Sequence, residues 1–262
     1  MTLQEHEVSD VSALVDYMLK SGRTGPSWFR GHGCETWSLR TSLSRKLTSM
    51  DPTHVLQVEQ RLITRFRQRS LALWPEGYPQ NDWEHLFAMQ HFGVPTRLLD
   101  WTESLLVGAY FAAYHEPKSC ECGTGSCKPT LWVLNPVKLN QENPRLAGMN
   151  VGVLTTTDSA ADAWAPGVTE TYFAPSPIAL YGTHNSPRIV AQQGTFTVGG
   201  KEDMPLDVSK AVASDDNVLE KIVINSTHQE LIQQLRTLGV RRSTVYPDLS
   251  GLGYDITIEE VF

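Results

Sequence analysis

The chain has 262 residues, 40% of them hydrophobic and 19% charged, which is enough apolar material for one sizeable core. Its 29 acidic and 22 basic residues leave a formal charge of −7, so no general positive field can hold phosphate backbones, and any nucleic-acid contact has to be local. The opening MTLQEHEVSD carries no basic stretch leading into an apolar one, and no later apolar run has the length of a bilayer span. The expectation is a cytoplasmic protein without a membrane partner.

Taken in chain order, Val8, Val11, Leu14, Val15, Met18 and Leu19 have helical spacing over about 8–20, and Gly22 stops the run. Ser27 to Gly31 is a short aromatic run between Gly-Pro and Gly-His-Gly, the pattern of a buried strand entering a tight turn, with Arg30 at its end. Residues 53–73 place Val55, Val58, Leu62, Phe66 and Leu73 on one face, with Glu59, Arg61, Arg65, Arg67 and Arg69 between them, as in a long amphipathic helix. Those arginines read first as a solvated face.

Asn81 and Glu84 predict a capped helix through Leu86, Met89 and His91, ended by Gly93 and Pro95. The run Ser104 to Tyr114 is apolar nearly all round and predicts a buried helix. Strand-like runs follow at 130–134, 188–191, 195–198 and 221–225, and Thr227 with Glu230 opens a last helix that stops at Gly239. Residues 140–185 show no clear period and read as a loop over a site. Helices mainly in the N-terminal half and a mixed or antiparallel sheet mainly from the C-terminal half predict a single α+β domain over 1–262.

Three polar motifs stand out: Arg30 between Phe29 and Gly31; His91-Phe-Gly-Val-Pro-Thr-Arg-Leu-Leu-Asp-Trp101; and Asn185 to Phe196, read as strand, turn and strand with Gln192 and Gln193 beside Gly194. Neither a dinucleotide-binding glycine pattern nor a phosphate-binding loop is present, nor a Gly-x-Ser-x-Gly elbow. A nuclease-like enzyme is disfavoured because no carboxylate cluster has metal-site spacing.

Together the motifs resemble the FRG domain family, whose marks are an aromatic-Arg-Gly triplet, the His-aromatic-Gly-x-Pro-Thr-Arg-Leu-Leu-Asp-Trp segment and an Ala-Gln-x-Gly-x-Phe segment. The resemblance runs from about Trp28 to Gly253, and its closing part, Val245-Tyr-Pro-Asp-Leu-Ser-Gly-Leu252, has Tyr246 where Phe is usual. The layout of Arg, His and Gln motifs is similar to the split sites of ADP-ribosyltransferases, a likeness that implies a role in bacterial defence or toxin-antitoxin systems. That likeness implies Arg30, His91 and Gln193 as catalytic residues, and Arg97, Asp100, Trp101, Glu59, Gln192 and Asn185 as binding residues. The alternative is a recognition or sensor domain that binds a nucleotide-like ligand or a peptide in the same cleft.

NAD as substrate also has a physical basis apart from that likeness. Breaking the nicotinamide–ribose bond develops positive charge on the ribose, so a site needs a guanidinium for the pyrophosphate, an aromatic surface and acceptors near the ribose. Arg30 or Arg97 suits the first need, Trp101, Tyr172 or Phe173 the second, and Gln193, Asp100 or Glu59 the third. The acceptor of ADP-ribose would be a nucleic acid, a protein or a small molecule. Against this stand structural readings: Arg97 with Asp100, or Arg30 with Glu59 or Asp100, as buried ion pairs, and His91 as a helix cap.

Cys120-x-Cys122-x4-Cys127, with His115 upstream, offers soft ligands in a loop insertion over about 116–129. Zinc there is expected to be structural and remote from the cleft. The spacing does not match the paired Cys-x2-Cys pattern of common zinc sites.

Overall fold

The computed structural model describes residues 3–47, 51–74, 77–115, 117, 127–183, 186–202 and 204–261. The fold is a single α+β domain built on one eight-stranded mixed sheet. Its first half contains β1 (Gln4–Val8), α1 (Val11–Lys20), β2 (Trp28–His32), α2 (Ser42–Lys46), α3 (Pro52–Ser70), α4 (Asp82–His91), β3 (Leu98–Thr102) and α5 (Leu105–Tyr114). Then come β4 (Thr130–Leu134), α6 (Pro136–Gln141), β5 (Leu154–Thr155), β6 (Ile178–Tyr181), α7 (Pro187–Ala191) and β7 (Gly194–Val198). The chain finishes with α8 (Lys210–Ser214), β8 (Leu219–Ile224), α9 (His228–Thr237), α10 (Arg242–Val245) and α11 (Leu249–Val261).

The strand order is β1-β8-β4-β2-β3-β7-β6-β5, so two strands from the N-terminal half, β2 and β3, form the middle of the sheet. Cross-strand partners share a face. Phe29, Leu131, Val133 and Ile222 meet α1, α5 and α9 on one side. Farther along the sheet, Leu98, Phe196, Val198 and Leu180 pack on Ile63 of α3 and on Trp83, Leu86, Phe87 and Met89 of α4. The opposite face buries Trp28, Leu99, Trp101 and Trp132 with Leu139 of α6 and Ala211 and Val212 of α8.

The helix ends follow the residues that cap them. Asn81 accepts from the Glu84 amide at 2.9 Å, and Thr227 with Glu230 forms a reciprocal capping box. At the end of α4, Gly93 takes φ +76, its amide reaches Gln90 O at 3.2 Å, and the Val94 amide reaches Met89 O at 2.9 Å. This left-handed closure turns the chain straight into β3.

Several segments differ from the sequence reading. Residues 4–8 form an edge strand parallel to β8, so α1 starts only at Val11. Leu98–Thr102, read as part of a turn, is a strand with every residue but Asp100 buried. Arg188–Ala191, read as a strand, is helical because Ser186 accepts from the Ile189 amide and Pro187 occupies the first turn. Residues 140–183 are no loose loop: Leu146, Leu154, Trp164 and Ala174 belong to the core, and β5 and β6 complete the sheet. No described helix is long and apolar enough to cross a membrane.

Candidate functional site

β2 and β3 pair only at Phe29 and Thr102, and beyond that pair the ladder between them is open. Arg30 lies mid-strand rather than at a strand end, and its Nη1 donates to the Asp100 carbonyl at 2.7 Å. The side chain thus satisfies an acceptor that a neighbouring strand would otherwise take. Gly31 has a different task. A Cβ at that position would lie 2.1 Å from Ala112 N and 2.2 Å from Gly108 O, so the glycine lets α5 pack directly on β2. It serves helix packing.

The open seam leads into a cavity of about 920 Å³, within the range of small-molecule sites. Gln90 and His91 come from the end of α4, and Phe111, Tyr114 and His115 from the end of α5. Arg188 and Ile189 come from α7, Thr36 and Trp37 from the turn after β2, and Tyr246 follows α10. Among the described residues its charged lining consists of Arg30, Arg45, Arg188 and a single carboxylate, Asp100, so an acidic chain places a cationic concavity at the middle of its sheet.

Neighbours hold the groups in place. Arg30 Nε donates to His32 Nε2 at 3.3 Å and the Trp132 indole Nε1 donates to His32 Nδ1 at 3.2 Å, while the same Nδ1 lies 3.2 Å from Trp37 O. Burial, reinforced by the nearby Arg30 charge, pushes His32 down to about 3. His91 is lowered by burial and by Arg188, with Asp100 opposing, and His115 is lowered by burial despite its contact with Phe111 O. Burial lowers Arg30 as well, with Asp100 opposing and Arg45 adding to the effect.

Asp100 Oδ2 accepts from Gln90 Nε2 at 2.7 Å and lies 4.0 Å from Arg30 Nη1. Arg188 rests over the Tyr246 ring, 4.7 Å from its centroid. Gln192 Nε2 donates to Val245 O at 3.1 Å, and the Thr102 hydroxyl donates to Gln192 O at 2.6 Å, which ties the third motif to both β3 and the C-terminal segment.

Of the residues singled out in the sequence, Arg30, His91, Asp100, Trp101 and Gln192 line this cavity, and so does His115, which the sequence reading had assigned to a metal. Arg97 and Glu59 do not. Arg97 Nε donates to Glu59 Oε1 at 2.7 Å, Nη1 donates to Gly199 O at 3.0 Å, Nη2 donates to Trp164 O, and the guanidinium lies over Phe173. Both partners are buried, so this is the structural ion pair, formed with Glu59 and not with Asp100. Tyr172 lies under Arg145.

Gln193 is exposed at φ +46, the left-handed corner before β7, and its carbonyl accepts from the Glu103 amide at 3.1 Å. Only Gln192 of the pair reaches the cavity. Asn185, Cys120 and Cys122 lie outside the described residues.

Sequence reasoning missed His32, Gln90, Arg45, Arg188 and Tyr246. His32 was within reach, since a residue two places from Arg30 on a strand shares its face. Gln90 stands beside His91 and was passed over. Arg45, Arg188 and Tyr246 reach the cavity only through tertiary packing.

A family model described as the FRG domain matches residues 25–120. The matched segment runs from β2 through α5 and contains Arg30 and the whole His91–Trp101 motif, so the FRG segment supplies the open seam and much of the cavity wall. Arg188, Gln192 and Tyr246, from beyond the match, close the other side. No curated protein and no solved structure matches the chain.

Proposed function

We propose that the cavity binds a nucleotide carrying a pyrophosphate, NAD in the first instance, and that the protein transfers its ADP-ribose to a protein, nucleic-acid or small-molecule acceptor. The observation that carries this reading is the charge of the cavity: three arginines against one carboxylate among the described residues, interleaved with aromatic rings. Planar guanidiniums match phosphate oxygens in a bidentate way, and the exposed ring of Trp37 offers a face for a base or for nicotinamide.

In the transfer, a nucleophilic oxygen or nitrogen of the acceptor bonds to C1′ of the ribose. The C1′–N bond breaks and its electron pair leaves with nicotinamide. The acceptor's proton passes to a base, for which the His91 imidazole is suited because its lowered pKa keeps it neutral at pH 7. In this reading the Asp100 carboxylate offsets the charge developing on the ribose.

A second reading, a recognition domain that binds the nucleotide without cleaving it, is favoured by one observation. Asp100, the single carboxylate lining the cavity among the described residues, already accepts a hydrogen bond from Gln90 Nε2. Calorimetric titration with NAD, followed by assay for free nicotinamide, separates the two. Binding with nicotinamide release that falls at least about tenfold in Arg30→Lys supports transfer. Binding without release leaves the recognition domain, and absence of binding removes both.

A further inference from the structure

We propose that Cys34, Glu35 and Cys127 form a zinc-binding site at the edge of the cavity wall. Their ligand atoms, two sulfurs and a carboxylate oxygen, lie within 4.8 Å of one another. Three such donors on a tetrahedron around zinc stand about 3.5–3.8 Å apart, so a small inward adjustment suffices. Cys34 Sγ is already 3.6 Å from Glu35 Oε2, and both cysteines are thiols rather than a disulfide.

The register of the sheet makes this group, and no spacing in the sequence announces it. His32 pairs with Thr130 in the antiparallel β2–β4 ladder, so the residues just past β2 face those just before β4. The Lys128 amide donates to Glu35 Oε2 at 2.7 Å and aims the carboxylate toward the thiols, as an outer partner of a metal ligand does. Two thiolates with one carboxylate suit zinc, whereas calcium and magnesium take oxygen donors.

This ligand set replaces His115, which faces the cavity, and it lies beside the site rather than remote from it. Cys34 is two residues from Thr36, and Thr36, Trp37 and Ser38 belong to the cavity wall. Zinc would pin that turn to the start of β4.

The test uses the full chain, purified under reducing conditions, loaded with zinc sulfate and freed of excess metal, with zinc per chain measured by mass spectrometry. Stoichiometric zinc is expected in the native chain, absent from C34S/C127S and bound at least about tenfold more weakly by E35Q. Cobalt substitution keeps the test open should the double variant fail to fold. Sulfur-to-cobalt absorption is expected in the native chain and in E35Q, with E35Q needing more cobalt to reach it. The proposal is overturned by a native chain that retains no zinc, by unchanged zinc in a folded C34S/C127S variant, by E35Q binding cobalt as the native chain does, or by a Cys34–Cys127 disulfide in place of metal. Every readout is taken without nucleotide, so none depends on the function proposed for the cavity.

Discussion

Arg97 and Arg30 are held within reach of the same strand, and their surroundings assign them opposite roles. Around Arg97 the carboxylate of Glu59, two carbonyls and the face of Phe173 surround the guanidinium, and both members of the pair are buried. Around Arg30 the side chain is a fifth exposed, its partners are a backbone carbonyl and a neutral imidazole, and a large cavity opens beside it. A guanidinium whose donors are used up by the protein holds the fold. One that faces a cavity beside other arginines can serve a ligand.

The contrast breaks most visibly at the Arg97 knot. Replacing Glu59 with Ala strands a buried guanidinium and is expected to cost about 3–5 kcal/mol, read as a large fall in melting temperature and denaturant midpoint. A loss below about 1 kcal/mol would mean that Arg97 finds water or another partner there.

Next in size is Gly31→Ala, whose Cβ would collide with backbone atoms of α5. It is expected to destabilise by roughly 1–3 kcal/mol or more, because α5 has to move off β2. A variant that melts like the native protein yet loses nucleotide binding would return Gly31 to the ligand side of the comparison.

His32 sharpens the comparison through pH. Its pKa is about 3 when folded against an ordinary value of 6.5, so the folded state favours the neutral ring. That contribution is fully present above pH 6.5 and is lost as pH falls toward 3, with a slope of up to about 1.4 kcal/mol per pH unit. Stability measured between pH 7 and pH 4 should therefore fall less steeply in His32→Gln, by up to one bound proton, and parallel curves would refute the assignment.

Arg30→Lys keeps the charge and loses the planar fork, so a melt close to native is expected with ligand affinity weakened by about 1.5–3 kcal/mol. Unchanged affinity with a lowered melt would place Arg30 beside Arg97 as a structural residue. The smallest effect belongs to Gln193→Gly. Its exposed, left-handed position predicts a stability change of a few tenths of a kcal/mol and unaltered binding, and a loss of activity there would restore Gln193 to the site.

Local chemistry made much of the fold legible before any coordinates. The capped starts at Asn81 and Thr227 and the glycine stops at Gly93 and Gly239 concern backbone groups a few residues apart, and the apolar faces of α3, α4, α5 and α9 repeat with the helix period. Where local signals conflicted, the reading failed. At Arg188–Ala191 a β-branched run outweighed Ser186 and Pro187 on paper, whereas in the structure the cap prevails.

By itself the sequence determined the α+β class, the position of Arg30 on a strand and that of His91 in a last helical turn. Tertiary structure alone decided which arginine is locked to Glu59, that β2 and β3 part beyond Phe29 and Thr102, that Arg188 and Tyr246 close the cavity, and that Cys34 meets Cys127. The physical reason is range. Capping and periodicity act over a few residues and leave a local imprint, whereas an ion pair or a cavity wall joins residues far apart in the chain, and only the register of the strands between them says which will meet.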